Sequence, residues 1–169
     1  MRISVFVDGA NFFFMQREKL QWFADPKRLL DYIATKGEII EAFYYIGQDA
    51  PPAARQRAYL DALPNMGYSL ISKQIKTVYD AKTGTNKRKA NLDIEIVLDM
   101  FNTIDHYDMA VLVSGDGDFE RALQLLRARG KQLLVIATEG FIARELRSVA
   151  GRHYIDMESI KSEIERVRI

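Results

Sequence analysis

Val111-Leu-Val-Ser-Gly-Asp-Gly-Asp-Phe119 is the stretch that decides the fold. Three apolar residues run into Ser114, two aspartates follow with one glycine between them, and Phe119 opens a helical pattern. The pattern predicts a buried strand, a tight turn and a helix start. Asp116 and Asp118 then sit at the carboxyl end of a strand, the edge where open α/β sheets carry their chemistry.

The same grammar recurs through the chain. Residues 3–7 are a short apolar run that ends at once in Asp8-Gly-Ala-Asn11, a turn signal. A helix is expected over residues 12–20, with Asn11 as its N-cap. Pro26 suits the first turn of a second helix that turns Leu29, Leu30 and Ile33 inward and ends at Gly37. Strands are expected over residues 39–46 and 68–71, with a helix over 53–63 between them that Pro64 and Gly67 stop. Residues 73–89 are polar, alternating and interrupted by Thr83-Gly-Thr-Asn86, which predicts a β-hairpin or arm carrying Lys73, Lys76, Lys82, Lys87, Arg88 and Lys89. From Asn91 a helix is expected with Ile94, Val97, Leu98 and Phe101 as its core face. Strand four spans residues 109–113, and the helix after it turns Phe119, Ala122, Leu123 and Leu126 inward and closes at Gly130. A fifth strand over 133–137, a short helix over 141–149, an edge strand at 153–155 and a terminal helix with Met157, Ile160, Ile164 and Val167 inward complete the chain.

Strands alternating with helices require crossover connections, and therefore a mostly parallel sheet covered on both faces. The expectation is one three-layer α/β/α, Rossmann-like domain over residues 1–169, strand order 3-2-1-4-5, with residues 73–89 as its one excursion. Composition agrees: 48% hydrophobic and 28% charged residues are ordinary globular values. No apolar run approaches the ~18 residues that span a bilayer, and no signal peptide precedes Asp8, so a cytoplasmic protein without membrane contact is expected. The absence of cysteine excludes disulfides and thiolate metal sites. A net charge of +1 argues against a strongly basic nucleic-acid wrapper and leaves room for a local basic patch.

With strands one and four adjacent, Asp8 and Asp116 stand side by side. Asp93, in the first turn of the helix leading to strand four, can reach the same edge, and Asp118 lies just beyond Asp116. Each acid has a structural role open to it: Asp118 as an N-cap, Asp93 against the helix dipole, Asp8 in a turn. Asp116 is the hardest to explain that way, because a carboxylate ending a buried strand is costly without a partner. Three segments delivering acids to one edge point to a metal site, and oxygen-only donors suit Mg²⁺ or Mn²⁺. Asn11 and Ser114 flank the acids, either as a cap and a buried hydroxyl or as supports for the carboxylates. Such a cluster supports phosphodiester hydrolysis. His106 and His153 lack triad-like partners and read as surface or packing residues. Lys87, Arg88 and Lys89 form either a solvated hairpin or a contact for a nucleic-acid backbone. Phe12-Phe-Phe14 cannot all face the core of one helix, so at least one is left for base stacking or a homodimer contact.

Val7-Asp-Gly-Ala-Asn11, Lys89-Ala-Asn-Leu-Asp-Ile94 with Asp99 following, and Val113-Ser-Gly-Asp-Gly-Asp-Phe119 resemble the motifs of the NYN domain family, in its bacterial LabA-like branch. The resemblance covers essentially the whole chain. It implies a PIN-like nuclease fold and a Mg²⁺- or Mn²⁺-dependent ribonuclease acting on RNA. By motif it makes Asp8, Asp93, Asp116 and Asp118 the catalytic, metal-binding acids, with Asn11 and Ser114 as polar supports. Asp99, about two helical turns beyond Asp93, is read as structural. Regulatory members of that branch imply the alternative: a non-catalytic RNA-binding or regulatory module acting through protein partners.

Overall fold

The computed structural model describes residues 1–48, 54–89 and 91–167, and of residues 76–78 and 86–89 only the backbone. Six strands make one parallel sheet: β1 (Arg2–Asp8), β2 (Glu38–Gln48), β3 (Ser69–Gln74), β6 (Met109–Val113), β7 (Gln132–Ala137) and β8 (Tyr154–Asp156). Their order is β3-β2-β1-β6-β7-β8. Leaving the separate hairpin β4 (Lys76–Asp80) and β5 (Thr85–Lys89) out of the count, this is the order read from the sequence, extended by the edge strand. Lys73 belongs to β3 rather than to the arm, and its ammonium pairs with Glu95.

The chain walks outward from β1 through β2 to β3, then crosses back to β6 and walks the other way. Right-handed crossovers therefore put α1 (Gly9–Met15), α2 (Pro26–Ile33) and α3 (Ala54–Met66) on one face. They put α4 (Asp93–Asn102), α5 (Glu120–Ala128) and α6 (Arg144–Ala150) on the other. A short last helix, α7 (Lys161–Ile164), packs on α2. The walk reverses between β1 and β6, which pair in parallel from Ile3↔Met109 to Val7↔Val113. Their carboxyl ends form the topological switch point of the sheet.

β1 and β6 are buried on both faces because helices cover both, which is why they read as continuous apolar runs rather than alternating ones. Phe6 stacks on Phe43 at 5.5 Å and meets Tyr107 edge-on at 5.9 Å on one face of β1. Each such ring, removed from water, contributes roughly 1.5–3 kcal/mol, so the two central strands are the best-held part of the sheet. Phe12 turns inward against Tyr44 at 6.4 Å, while Phe13 and Phe14 stay exposed.

Several helices depart from the sequence reading. The first is α-helical only to Met15 and continues as a π-helical turn, Gln16–Leu20, closed by Gln21 N–H on the Gln16 carbonyl at 2.8 Å. The cause is Gln16, whose buried amide donates to the Phe12 carbonyl and accepts from Ala24 N–H, pinning the turn. α3 runs through Pro64 to Met66 instead of stopping before it. The core face of α4 is Leu92, Ile96 and Met100; Ile94 and Leu98 are 71% and 62% exposed, against expectation. Met157, Ile160 and Ile164 are buried as expected, but Val167 is exposed.

Candidate functional site

Asp8 ends β1 and begins α1. Its carboxylate accepts from Asn11 N–H at 3.4 Å, so Asp8 is the N-cap of α1. The expected cap, Asn11, is thereby released to bridge the strands, and its side-chain oxygen accepts the N–H of Gly115 at 2.9 Å. The same exchange occurs after β6. Asp116, not Asp118, caps the turn Gly117–Phe119, accepting from Asp118 N–H at 2.9 Å. Ser114 joins the two strand ends, donating its hydroxyl to Asp8 Oδ2 at 3.0 Å and accepting from Asp116 N–H at 3.1 Å. Thus Asn11 and Ser114 both tie the β1 turn to the β6 turn, and each fixes the orientation of an acid.

Asp93 arrives from α4. Leu92 is the N-cap of that helix, the Asn91 side-chain oxygen just before it accepts Asp93 N–H at 2.8 Å, and Asp93 stands at the first helical position facing the switch point. One carboxylate oxygen from each of Asp8, Asp93 and Asp116 lies within 4.8 Å of the other two. Asp118 is exposed and stays outside that group, although its charge still acts on Asp93. Asp99 accepts the Tyr45 hydroxyl at 2.8 Å and serves packing between α4 and β2.

Gly115 is a steric requirement, set by a backbone atom, whereas the crowding at Gly117 comes from the movable end of a side chain. A Cβ on Gly115 would stand 2.4 Å from the Phe141 carbonyl oxygen, and one on Gly117 would stand 2.3 Å from Glu145 Oε1. Glu145, on α6, therefore brings a further carboxylate beside Gly117, the residue between Asp116 and Asp118 in the chain. Sequence reasoning missed it, because an exposed acid in a helix first turn carries no distinguishing signal.

The electrostatics follow from crowding. Burial pushes the Asp8 carboxyl up from its usual range; the bonds from Ser114 and Asn11 oppose this, and the charge of Asp116 adds to it. Asp93 is pushed up to about 7, first by partial burial, then by the negative charges of Asp8 and Asp116, a hydrogen bond with Asp116, and Asp118. Every charge among the described residues that acts on Asp93 is negative. Among the described residues, no basic side chain forms an ion pair with any of the three acids. A hard divalent cation fits this donor set: oxygen ligands only, clustered, and short of positive charge.

The basic residues expected to contact nucleic acid lie on β5: the backbone of Lys87, Arg88 and Lys89 pairs with β4, and their side chains lie outside the described ones. His106 is exposed beside Glu41, and His153 is exposed beside Arg152. No helix among the described residues is long and apolar enough to cross a membrane.

Comparison with known proteins agrees with this architecture. The family model of the NYN domain matches residues 2–158. The low amplitude and bright protein LabA of Synechococcus elongatus is 48% identical over 168 residues, covering 98% of this chain and 88% of that protein. A crystal structure of a Vibrio parahaemolyticus protein of unknown function shares the fold, with a TM-score of 0.81 at 22% identity over 98% of this chain and 96% of that one. With its motifs, its switch-point acids and a family match over nearly its whole length, this chain is a member of the NYN domain family, in its LabA-like branch.

Proposed function

We propose that the chain is a divalent-metal-dependent ribonuclease that hydrolyses RNA phosphodiester bonds at the switch point. The observation that carries this reading is the convergence of Asp8, Asp93 and Asp116 within 4.8 Å. These three carboxylates would hold Mg²⁺ or Mn²⁺, with Asp118 reaching the site from its rim. The ion supplies Lewis-acid polarisation of the phosphate and a lower pKa for the attacking water. Ser114 and Asn11 keep the Asp8 and Asp116 segments in fixed register, so little reorganisation remains when a substrate arrives. Gly115 lets the loop through Phe141 pack closely on the turn between the acids, which holds that turn in place. Lys87, Arg88 and Lys89 extend the contact to the RNA backbone. The test is cleavage of a mixed RNA panel in Mn²⁺ or Mg²⁺. Asp116→Asn and Asp8→Asn should abolish cleavage while keeping their caps, since asparagine caps as well as aspartate. Cleavage unchanged in chelator and in the double variant overturns the reading.

A second reading is a non-catalytic RNA-binding or regulatory module acting through protein partners or a second copy. The exposed apolar pair Ile94 and Leu98, one turn apart on α4, favours it. It predicts RNA or protein binding without turnover and without sensitivity to chelator.

A further inference from the structure

Three phenylalanines, Phe13, Phe14 and Phe23, are 48%, 45% and 42% exposed on the α1 side of the switch point. They are arranged in pairs. Phe14 meets Phe141 edge-on, with centroids 5.5 Å apart at 65°, and Phe13 lies 6.1 Å from Phe23 at 35°. The Arg17 guanidinium sits over the Phe13 ring at 5.4 Å. Phenylalanine carries no polar handle, so water gains nothing from these faces. Helical periodicity explains one exposed ring next to the inward Phe12, but not two exposed neighbours that each meet a further phenylalanine from outside the helix.

One of the two pairs includes a residue of the loop that packs on the acid-bearing turn. The Phe141 carbonyl packs against Gly115, the residue between Ser114 and Asp116, and Ala143 N–H donates to the Gly115 carbonyl at 2.9 Å. Asn11, which holds Gly115 from the other side, lies three residues before Phe14 on α1. Phe14 thus stands on the helix that Asp8 caps, and Phe141 belongs to the loop that packs on the turn of Asp116. Lys19 adds an ammonium near Gly140 of the same loop. Arg17 also pairs with Glu18 at 2.9 Å, but both side chains are exposed and such a pair is weak.

We propose that Phe14 and Phe141 form a stacking step for an unpaired nucleobase, seating the strand so that its neighbouring phosphate reaches the acids, with Phe13, Phe23 and Arg17 taking the next nucleotide. The proposal rests on the nuclease reading and names the residues that position its substrate. Ring faces accept any base, so the step selects unstacked, single-stranded RNA without a sequence code. The experiment measures binding of a fluorescent single-stranded RNA oligomer, and of the same oligomer with abasic positions, to the full chain carrying Asp116→Asn. The variants are Phe14→Leu, Phe141→Leu and Phe14→Tyr, each checked for folding by circular dichroism. Cleavage is followed in parallel with Asp116 restored. Each leucine variant should bind the base-bearing oligomer about 5- to 100-fold more weakly. Abasic binding should be unchanged, and tyrosine should restore the loss. Equal loss on both oligomers, or no loss on either, overturns the stacking step. So does a change from dimer to monomer by sedimentation with RNA binding intact, which assigns the rings to a contact between copies. If the leucine variants lose base-dependent binding while the wild type cleaves nothing, the stacking step stands and the nuclease reading falls. If the wild type cleaves and the leucine variants bind and cleave like it, the reverse holds.

Discussion

Replacing Asp93 by asparagine removes one of three crowded negative charges and should stabilise the metal-free protein while weakening its response to metal. The Asp93 carboxyl titrates near 7 in the folded chain against 3.8 for the free group. A difference of that size corresponds to ~4 kcal/mol for a wholly buried group. Asp93 is partly exposed, and solvent screening cuts this to about 1–2 kcal/mol. The helix dipole opposes the gain, because an acid in the first turn of α4 is worth ~0.5 kcal/mol that asparagine forfeits. About 1 kcal/mol remains, a rise in Tm of roughly 2–4 °C for a chain of this size. The sign with pH follows from proton uptake. The folded state holds the Asp93 proton more tightly than the unfolded one, so the Asp93 contribution to stability is most favourable below 3.8 and is lost as pH rises through about 7. The asparagine variant lacks this decline, and its advantage should be present at pH 8 and vanish near pH 4. Thermal unfolding followed by circular dichroism in chelator, at pH 8 and at pH 5, measures both effects. Added Mn²⁺ should then raise the wild type more than the variant, since only an intact ligand set converts binding into stability. An asparagine variant no more stable than wild type at pH 8 in chelator would refute the crowding argument.

Other substitutions probe the scaffold. Ser114→Ala leaves Asp8 Oδ2 and Asp116 N–H without their shared partner and should cost about 1–3 kcal/mol by chemical denaturation, with weaker metal binding by calorimetry. Gly9→Ala places a Cβ 2.3 Å from the Tyr45 carbonyl oxygen, a backbone atom that cannot swing away, and should cost about 1–3 kcal/mol or more in the same assay. Ile94→Glu should leave Tm within about 1 °C, because the side chain packs on nothing that the fold needs; a large loss would mean that α4 is covered in solution.

The sheet and its acids were legible because both are written in short-range code. Apolar runs that end in acid-and-glycine turns mark β1 and β6, and alternation with helices gives the parallel order. The meeting of Asp8 and Asp116 followed from strand order, and the approach of Asp93 from the crossover of the helix that carries it. Which acid caps and which residue supports was not legible. Asp8 and Asn11, like Asp116 and Asp118, are both good caps within one turn, and the choice falls to whichever side chain the neighbouring strand needs. Asn11 is taken by Gly115 and leaves the cap to Asp8. The face of α4 was misread for a related reason. Residues 92–101 carry two apolar stripes of equal period, and tertiary contacts such as Tyr45 on Asp99 choose the stripe through Leu92, Ile96 and Met100. The π-helical turn was hidden because one buried glutamine sets it.

β1 is the first strand made and yet sits near the middle of the sheet, with β2 on one side and β6 on the other. The Ser114–Asp8 bond closes a separation of 106 positions. A growing chain can pair β1 with β2 and β2 with β3 and still hold only one of the two strand-end acids. Parallel pairing over so long a loop is slow, because its closure entropy must be met before any contact rewards it. The acid cluster is therefore completed in the same step that seals β6 into the centre of the sheet. Metal affinity should appear with the last long-range pairing during synthesis or refolding, making metal capture a reporter of completed folding rather than a nucleus for it.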